Sequence, residues 1–186
     1  MDSDTEFRER EALLERVREH VERHGIMTST FEDLASALGV EAGRLREFFP
    51  TKTELAVALV ARNRIRLREK FANLDQTMAD DDFRREMWEF YVETADASRL
   101  FFEVYGLAIA DAHYGEFLHG INDWLDLVTD AMVRRGVPAE RADAFATLGI
   151  AVYRGAMMDW LATGDRARVN AAMELWFKAA SWLSQT

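Results

Sequence analysis

The chain has no cysteine, and only two prolines, Pro50 and Pro138, among its 186 residues. Without cysteine there are no disulfides, thiolate metal sites or cysteine nucleophiles, which fits a cytoplasmic protein. So little proline, beside much Ala, Leu, Arg and Glu, leaves long helices uninterrupted and predicts an all-α chain. No apolar run approaches the ~20 residues needed to cross a bilayer, so no membrane span is expected. The opening Met1-Asp2-Ser3-Asp4 is acidic and has no apolar stretch behind it, so no secretory signal is expected. No run alternates with period two, the pattern of a half-buried strand.

Hydrophobic residues make up 49% and charged residues 30% of the chain, the balance of a globular protein with one large domain or two small ones. The net charge is −10, and it is unevenly spread. Residues 1–70 carry 13 Lys/Arg against 14 Asp/Glu, while the rest carries 10 against 19. The first part is therefore near neutral and can present a basic face locally, although the whole is acidic.

Apolar spacing and helix-stop signals predict about nine helices. The first covers about residues 6–24, with Phe7, Leu13, Leu14, Val17 and Val21 inward, and Gly25 ends it. Thr30-Phe31-Glu32-Asp33 is a capping box that opens a short helix with Leu34, Ala35 and Leu38 inward. Gly39 follows as a left-handed stop. A second short helix over about 42–48 buries Leu45 and Phe48, and Pro50 stops it. Thr51-Lys52-Thr53-Glu54 opens a long helix to about residue 76. Asp80-Asp81-Asp82 suits the start of another, to about Ala97, and Ser98 the start of the next, to about Ala112. Breaks at Gly115, Gly136-Val137-Pro138 and Thr163-Gly164-Asp165 delimit the remaining three.

Two short helices joined by a tight Gly-containing turn, with apolar residues at Leu34, Leu38, Val40 and Leu45, describe a helix-turn-helix or a local packing corner. The residues themselves, from Thr30 to Leu55, resemble the DNA-binding segment of TetR-family transcriptional regulators. The pattern runs roughly Thr-x-x-x-Ile-Ala-x-x-Ala-Gly-Val-Ser-x-Gly-x-Leu-Tyr-x-His-Phe-x-Ser-Lys-Glu-x-Leu. Thr30, Ala35, Gly39, Val40, Gly43, Leu45, Phe49, Lys52 and Leu55 match it, and Leu34 and Thr51 are conservative replacements. Glu41 departs from the family's Ser, Arg46 from its Tyr and Phe48 from its His. The specific resemblance covers about residues 10–60, and the remainder agrees in length and helix pattern.

The resemblance implies a helix-turn-helix DNA-binding domain over residues 1–52 and a helical ligand-binding and dimerisation domain over 53–186. It implies a homodimer that binds operator DNA and is released by a small, mainly apolar ligand, most simply as a repressor. The second short helix would enter the major groove. Arg44 is expected at a base, since Arg suits bidentate contact with guanine. Arg46 is expected at a phosphate or base, with Ala42 and Gly43 allowing close backbone approach. Thr30, Thr51 and Lys52 stand at helix starts, where the dipole favours phosphate.

A dimer is expected through the last two helices, which are apolar around most of their circumference. For the ligand, Trp88, Tyr91, Phe102, Tyr105, His113, Trp124, Tyr153 and Met157 offer a mainly apolar lining with polar tips. No cofactor or metal is expected. No phosphate loop, dinucleotide fingerprint, nucleophile elbow or metalloprotease motif occurs, so no enzyme is expected. Glu116 and His119 form one half of a di-iron spacing without its second copy, and His20 with His24 reads as a solvated helix face. The alternative is a chain of the same fold that binds a ligand or protein and has lost sequence-specific DNA binding, which Glu41 would favour.

Overall fold

A computed structural model describes residues 3–26, 29–73, 78–111 and 115–185. Among these the chain is all helical, in nine helices: α1 Ser3–His24, α2 Phe31–Leu38, α3 Ala42–Phe48, α4 Lys52–Asn73, α5 Asp80–Glu93, α6 Ala95–Ala110, α7 Gly115–Arg134, α8 Ala139–Thr163 and α9 Arg166–Gln185. The chain packs as two compact units, Met1–Arg66 with Arg99–Leu118, and Leu67–Ser98 with His119–Thr186.

In the first unit the stripes of α1 to α4 meet. Leu14, Val17 and Val21 of α1, Leu34 of α2, Leu45 of α3, Phe49 just beyond it, and Leu55 and Leu59 of α4 are all buried. Phe7, expected inward, is 61% exposed. It stands a turn ahead of Arg10, whose guanidinium lies 4.8 Å over the Phe49 ring and marks where the packing begins. Gly25 ends α1 at φ 79, a left-handed conformation that glycine adopts without penalty. The next amide, of Ile26, donates to the Glu103 carboxylate of α6 at 3.1 Å, which fixes the end of α1 within this unit.

Leu45 is fully buried on a helix of only seven residues. A helix that short is held by its packing rather than by its own propensity. Leu45→Ala is therefore expected to destabilise the protein by about 3 kcal/mol, checked by thermal or urea unfolding.

The second unit is built on α5, α8 and α9, which pack on one another. Its core includes Phe71, Phe83, Met87, Trp124 and Phe145. Polar bonds fix the register of α5 on α9. The Trp88 indole donates to Asn170 at 2.9 Å, and the Arg85 guanidinium meets both oxygens of Glu174 at 2.9 Å.

The break expected before Ser98 falls instead at Thr94. The Thr94 hydroxyl donates back to the Phe90 carbonyl at 2.8 Å, a local bond that competes with the helix ladder and bends the chain there. No described helix is long and apolar enough to cross a membrane.

Candidate functional site

The two short helices form as their capping residues dictate. The Thr30 side chain accepts from the Asp33 amide at 3.1 Å, and the Asp33 carboxylate accepts from the Thr30 amide at 2.9 Å. Gly39 sits at φ 64 and closes α2, and the Val40 amide donates to the Ala35 carbonyl at 3.0 Å. The Arg16 guanidinium of α1 covers the carbonyl of Leu38. At the start of α4, the Thr51 hydroxyl accepts from the Glu54 amide at 3.1 Å, which completes the second expected box with the Thr51 amide on Glu54 at 3.2 Å. Thr30 and Thr51 are thus engaged as caps and exposed, and Lys52 is the first residue of α4 and half-buried.

Helix α3 turns Leu45 inward; Phe48, expected to be buried with it, is half-buried because Arg44 rather than the core covers its ring, and Gly43, Arg46 and Glu47 are exposed. Ala42 and Gly43 open it, and a Cβ built on Gly43 meets no atom within 4 Å. Nothing in the chain's own packing requires glycine there. Glu41 precedes them as the N-cap residue, without a side-chain cap bond.

Arg44 and Arg46 lie on the protein's surface, and both are held by carboxylates of the same chain. Arg44 meets Glu9 of α1 through two nitrogens, at 2.8 and 2.5 Å, and also pairs with Glu47. Its guanidinium stacks 4.3 Å over the Phe48 ring. Arg46 pairs with Glu32 of α2 and lies 5.2 Å over Phe31. The hydrogen bond from Arg44 holds the Glu9 carboxyl below its ordinary range, and the one from Arg46 does the same for Glu32. Sequence spacing offered only the Arg44–Glu47 pair, which is i,i+3 on one helix. Glu9 and Glu32 come from other helices and carry no local signal.

The second unit holds a cavity of about 80 Å³. Of the residues expected around a ligand, Tyr91, Trp124 and Tyr153 line it. Trp88 and Met157 are buried in the core but are not part of the lining. Phe102 and Tyr105 belong to the first unit, where both rings pack on Phe101. His113 lies outside the described residues. Reading the sequence missed Phe71, Phe83, Phe145 and Trp176, which complete the aromatic wall. Each looks like any other core aromatic in a helical stripe.

Charge at the cavity is balanced within the protein. The Arg84 guanidinium meets Asp81 at 3.1 Å and Asp80 at 3.7 Å, and Arg135 meets Asp80 at 3.0 Å. Arg135 also lies 3.9 Å over the Phe83 ring. The Tyr153 hydroxyl donates to the Arg84 carbonyl at 2.7 Å. Burial pushes the pKa of both tyrosines up, that of Tyr91 to about 12, so both hydroxyls keep their protons at neutral pH. The Trp176 indole nitrogen is buried and has no hydrogen-bond partner. His20 and His24, by contrast, stack on each other at 4.4 Å on the surface of α1.

No protein-family model and no curated protein matches this chain. Solved structures do. A transcriptional regulator from Rhodococcus sp. RHA1 is 12% identical with a TM-score of 0.78, over 92% of this chain and 95% of that one. A TetR transcriptional regulator from Legionella pneumophila is 11% identical with a TM-score of 0.73, over 96% and 97%. A protein described as a transcriptional regulator of Saccharomonospora viridis, solved with choline, is 20% identical with a TM-score of 0.70, over 92% and 94%. At such identities the likeness is one of fold, and it extends along nearly the whole length of each chain.

Proposed function

We propose that this chain, which has the fold of TetR-family transcriptional regulators, is itself a cytoplasmic regulator of that family. It binds operator DNA as a homodimer through α3 and is released when a small molecule enters the cavity of the second unit. The reading divides the work between residues 1–52, which hold the DNA, and 53–186, which dimerise and sense.

The observation that carries the DNA-binding part is the open face at Gly43. A helix pays for an exposed glycine with conformational entropy, about 0.5–1 kcal/mol against alanine. Here no neighbouring atom justifies it. Close approach of another molecule's backbone or base edge does. Gly43→Ala is accordingly expected to leave the fold intact, or stabilise it by about 0.5 kcal/mol, while weakening duplex binding at least about tenfold. Unfolding and gel-shift measurements on the same preparation check both halves.

Two heads on a dyad are needed because one helix-turn-helix covers one half-site, and half-sites lie about one turn, ~34–36 Å, apart. Support for the dimer comes from α8 and α9. Leu148, Ala151, Gly155 and Met158 form one exposed stripe on α8, and Ala172, Leu175, Ala179 and Trp182 form one on α9. Exposed apolar stripes on two helices that pack together are the surface a second copy would cover.

Release follows from linkage: a ligand that prefers one arrangement of the cavity's helices shifts the protein toward it. The choline of the Saccharomonospora viridis structure marks a cation as that protein's ligand. Here the carboxylates at the cavity, Asp80 and Asp81, are already paired with Arg84 and Arg135, a set that leaves no free anion for a cation.

A second reading has one observation in its favour. Both arginines of the recognition face are neutralised by carboxylates of their own chain, as in a head that no longer holds DNA. Gel shifts with the promoter fragments of the chain's own and neighbouring genes decide. Salt-sensitive binding to one of them supports the regulator, and failure on all of them at low salt supports a ligand- or protein-binding chain of the same fold.

A further inference from the structure

The cavity restricts what can enter it by charge, size and hydrogen bonding, and this inference rests on reading it as the ligand site. Charge comes first. Its lining carries Asp80, Arg84 and Arg135, and Asp81 completes a set of two cations and two anions already in contact with one another. A charged ligand would have to break these part-buried pairs or stand unpaired beside them, and either cost is large in an apolar surround. Size comes second. At about 80 Å³ the space is smaller than the ~150 Å³ engineered cavity that takes up benzene, so a single ring fits only with small rotations of the lining.

Hydrogen bonding comes third. The Trp176 indole N–H is buried without a partner, but it is closed off on every side and opens no space for a ligand atom. Tyr91 brings a hydroxyl held in its protonated form, while the Tyr153 proton is already committed to the Arg84 carbonyl. The uncommitted hydroxyl proton of the lining is therefore that of Tyr91, and the ligand group it matches is an acceptor. The aromatic walls add ring-to-ring contact by Phe145, Trp124 and Tyr153.

From the balanced charges, the volume and the Tyr91 hydroxyl in the lining, we propose that the cavity takes an uncharged, single-ring compound bearing one hydrogen-bond acceptor, such as a small aryl ketone or ether, with the acceptor received by Tyr91.

Isothermal titration of the full-length protein with four probes tests this: acetophenone, ethylbenzene of similar shape without the acceptor, benzoate and tetramethylammonium. Acetophenone is expected to bind several-fold to about tenfold more tightly than ethylbenzene, the range one hydrogen bond commands. Benzoate and tetramethylammonium are expected to show no saturable heat. Tyr91→Phe keeps a ring in the wall and removes the O–H. It should bring acetophenone down to the level of ethylbenzene and leave ethylbenzene unchanged. The wild-type comparison among probes stands even if that variant fails to fold.

Equal affinities for acetophenone and ethylbenzene, or tighter binding of either ion, overturn the proposed class while leaving the cavity a ligand site. If Gly149→Phe, which intrudes on the cavity, leaves all probe binding unchanged, the cavity is not the site and both readings fall. Release of a bound duplex by acetophenone in a gel shift is a separate readout for the regulatory role.

Discussion

Replacing both Leu175 and Trp182 with glutamate is expected to yield a folded monomer that binds operator duplex at least about a hundredfold more weakly than the parent. In the single chain Leu175 is 70% and Trp182 66% exposed, and the neighbouring stripe on α8 leaves Met158 54% and Leu148 45% exposed. Covering a large apolar side chain stabilises by about 1.5–3 kcal/mol, so a second copy seated here gains from every one of them. The same positions are largely open to solvent within their own protomer, which is why glutamate there should not unfold it. In a twofold dimer each substitution occurs twice, and four carboxylates would then have to be dried without partners. Light scattering after size exclusion gives the mass, circular dichroism the helix content, and a gel shift the affinity. A variant that remains dimeric would place the interface elsewhere on the molecule.

Arg44→Ala and Glu9→Gln are expected to change duplex affinity in opposite directions. Losing Arg44 removes the side chain best placed for a guanine edge or a phosphate, a loss of about tenfold or more per half-site. Glu9→Gln acts on the competitor. The Glu9 carboxylate occupies two nitrogens of Arg44, so the arginine can engage DNA only by exchanging one anion for another. Removing that charge leaves Arg44 with Glu47 as its remaining carboxylate partner and takes a negative group away from the phosphates, and affinity should rise several-fold at low salt. Both side chains are on the surface, so unfolding curves should barely move. Salt titrations tell the two roles of Arg44 apart. If it meets a phosphate, the alanine variant shows a salt slope smaller by about 1, and if it meets a base, sequence preference relaxes instead. If neither substitution alters binding, α3 does not hold DNA through Arg44.

The pH dependence of this clamp follows from its sign. Arg44 lowers the Glu9 carboxyl below its ordinary 4.5, so the pair's contribution is present above that value and fades only as pH falls through the lowered one. Between pH 6 and 8 the clamp is therefore constant. Any change in duplex affinity across that window has another source, and the rise with Glu9→Gln should be the same at both ends.

Local chemistry was enough for the helices and the head. Thr30 with Asp33, Gly39, Pro50, and Thr51 with Glu54 act within a few residues of one another, so the order of their side chains along the chain already states where α2 begins and ends, where α3 stops and where α4 begins. Thr94 was missed because its hydroxyl can turn back on its own helix or face outward, and the sequence does not distinguish the two. The candidate site was less legible. Tyr91, Trp124 and Tyr153 were read as ligand-facing and do line the cavity. Trp88 and Met157 have the same apolar character and the same helical spacing, yet they pack as core.

What the sequence alone determined is the all-helical class and most of the helix positions and buried stripes, because capping bonds and apolar periodicity are properties of neighbours along the chain; Phe7 and the break at Thr94 are the exceptions. Only the tertiary structure decided that Glu9 and Glu32 hold the two arginines, that four distant aromatics close a cavity, and that Asp80 serves both Arg84 and Arg135. Most of those partners stand tens of positions apart, and their geometry exists only after the helices have packed.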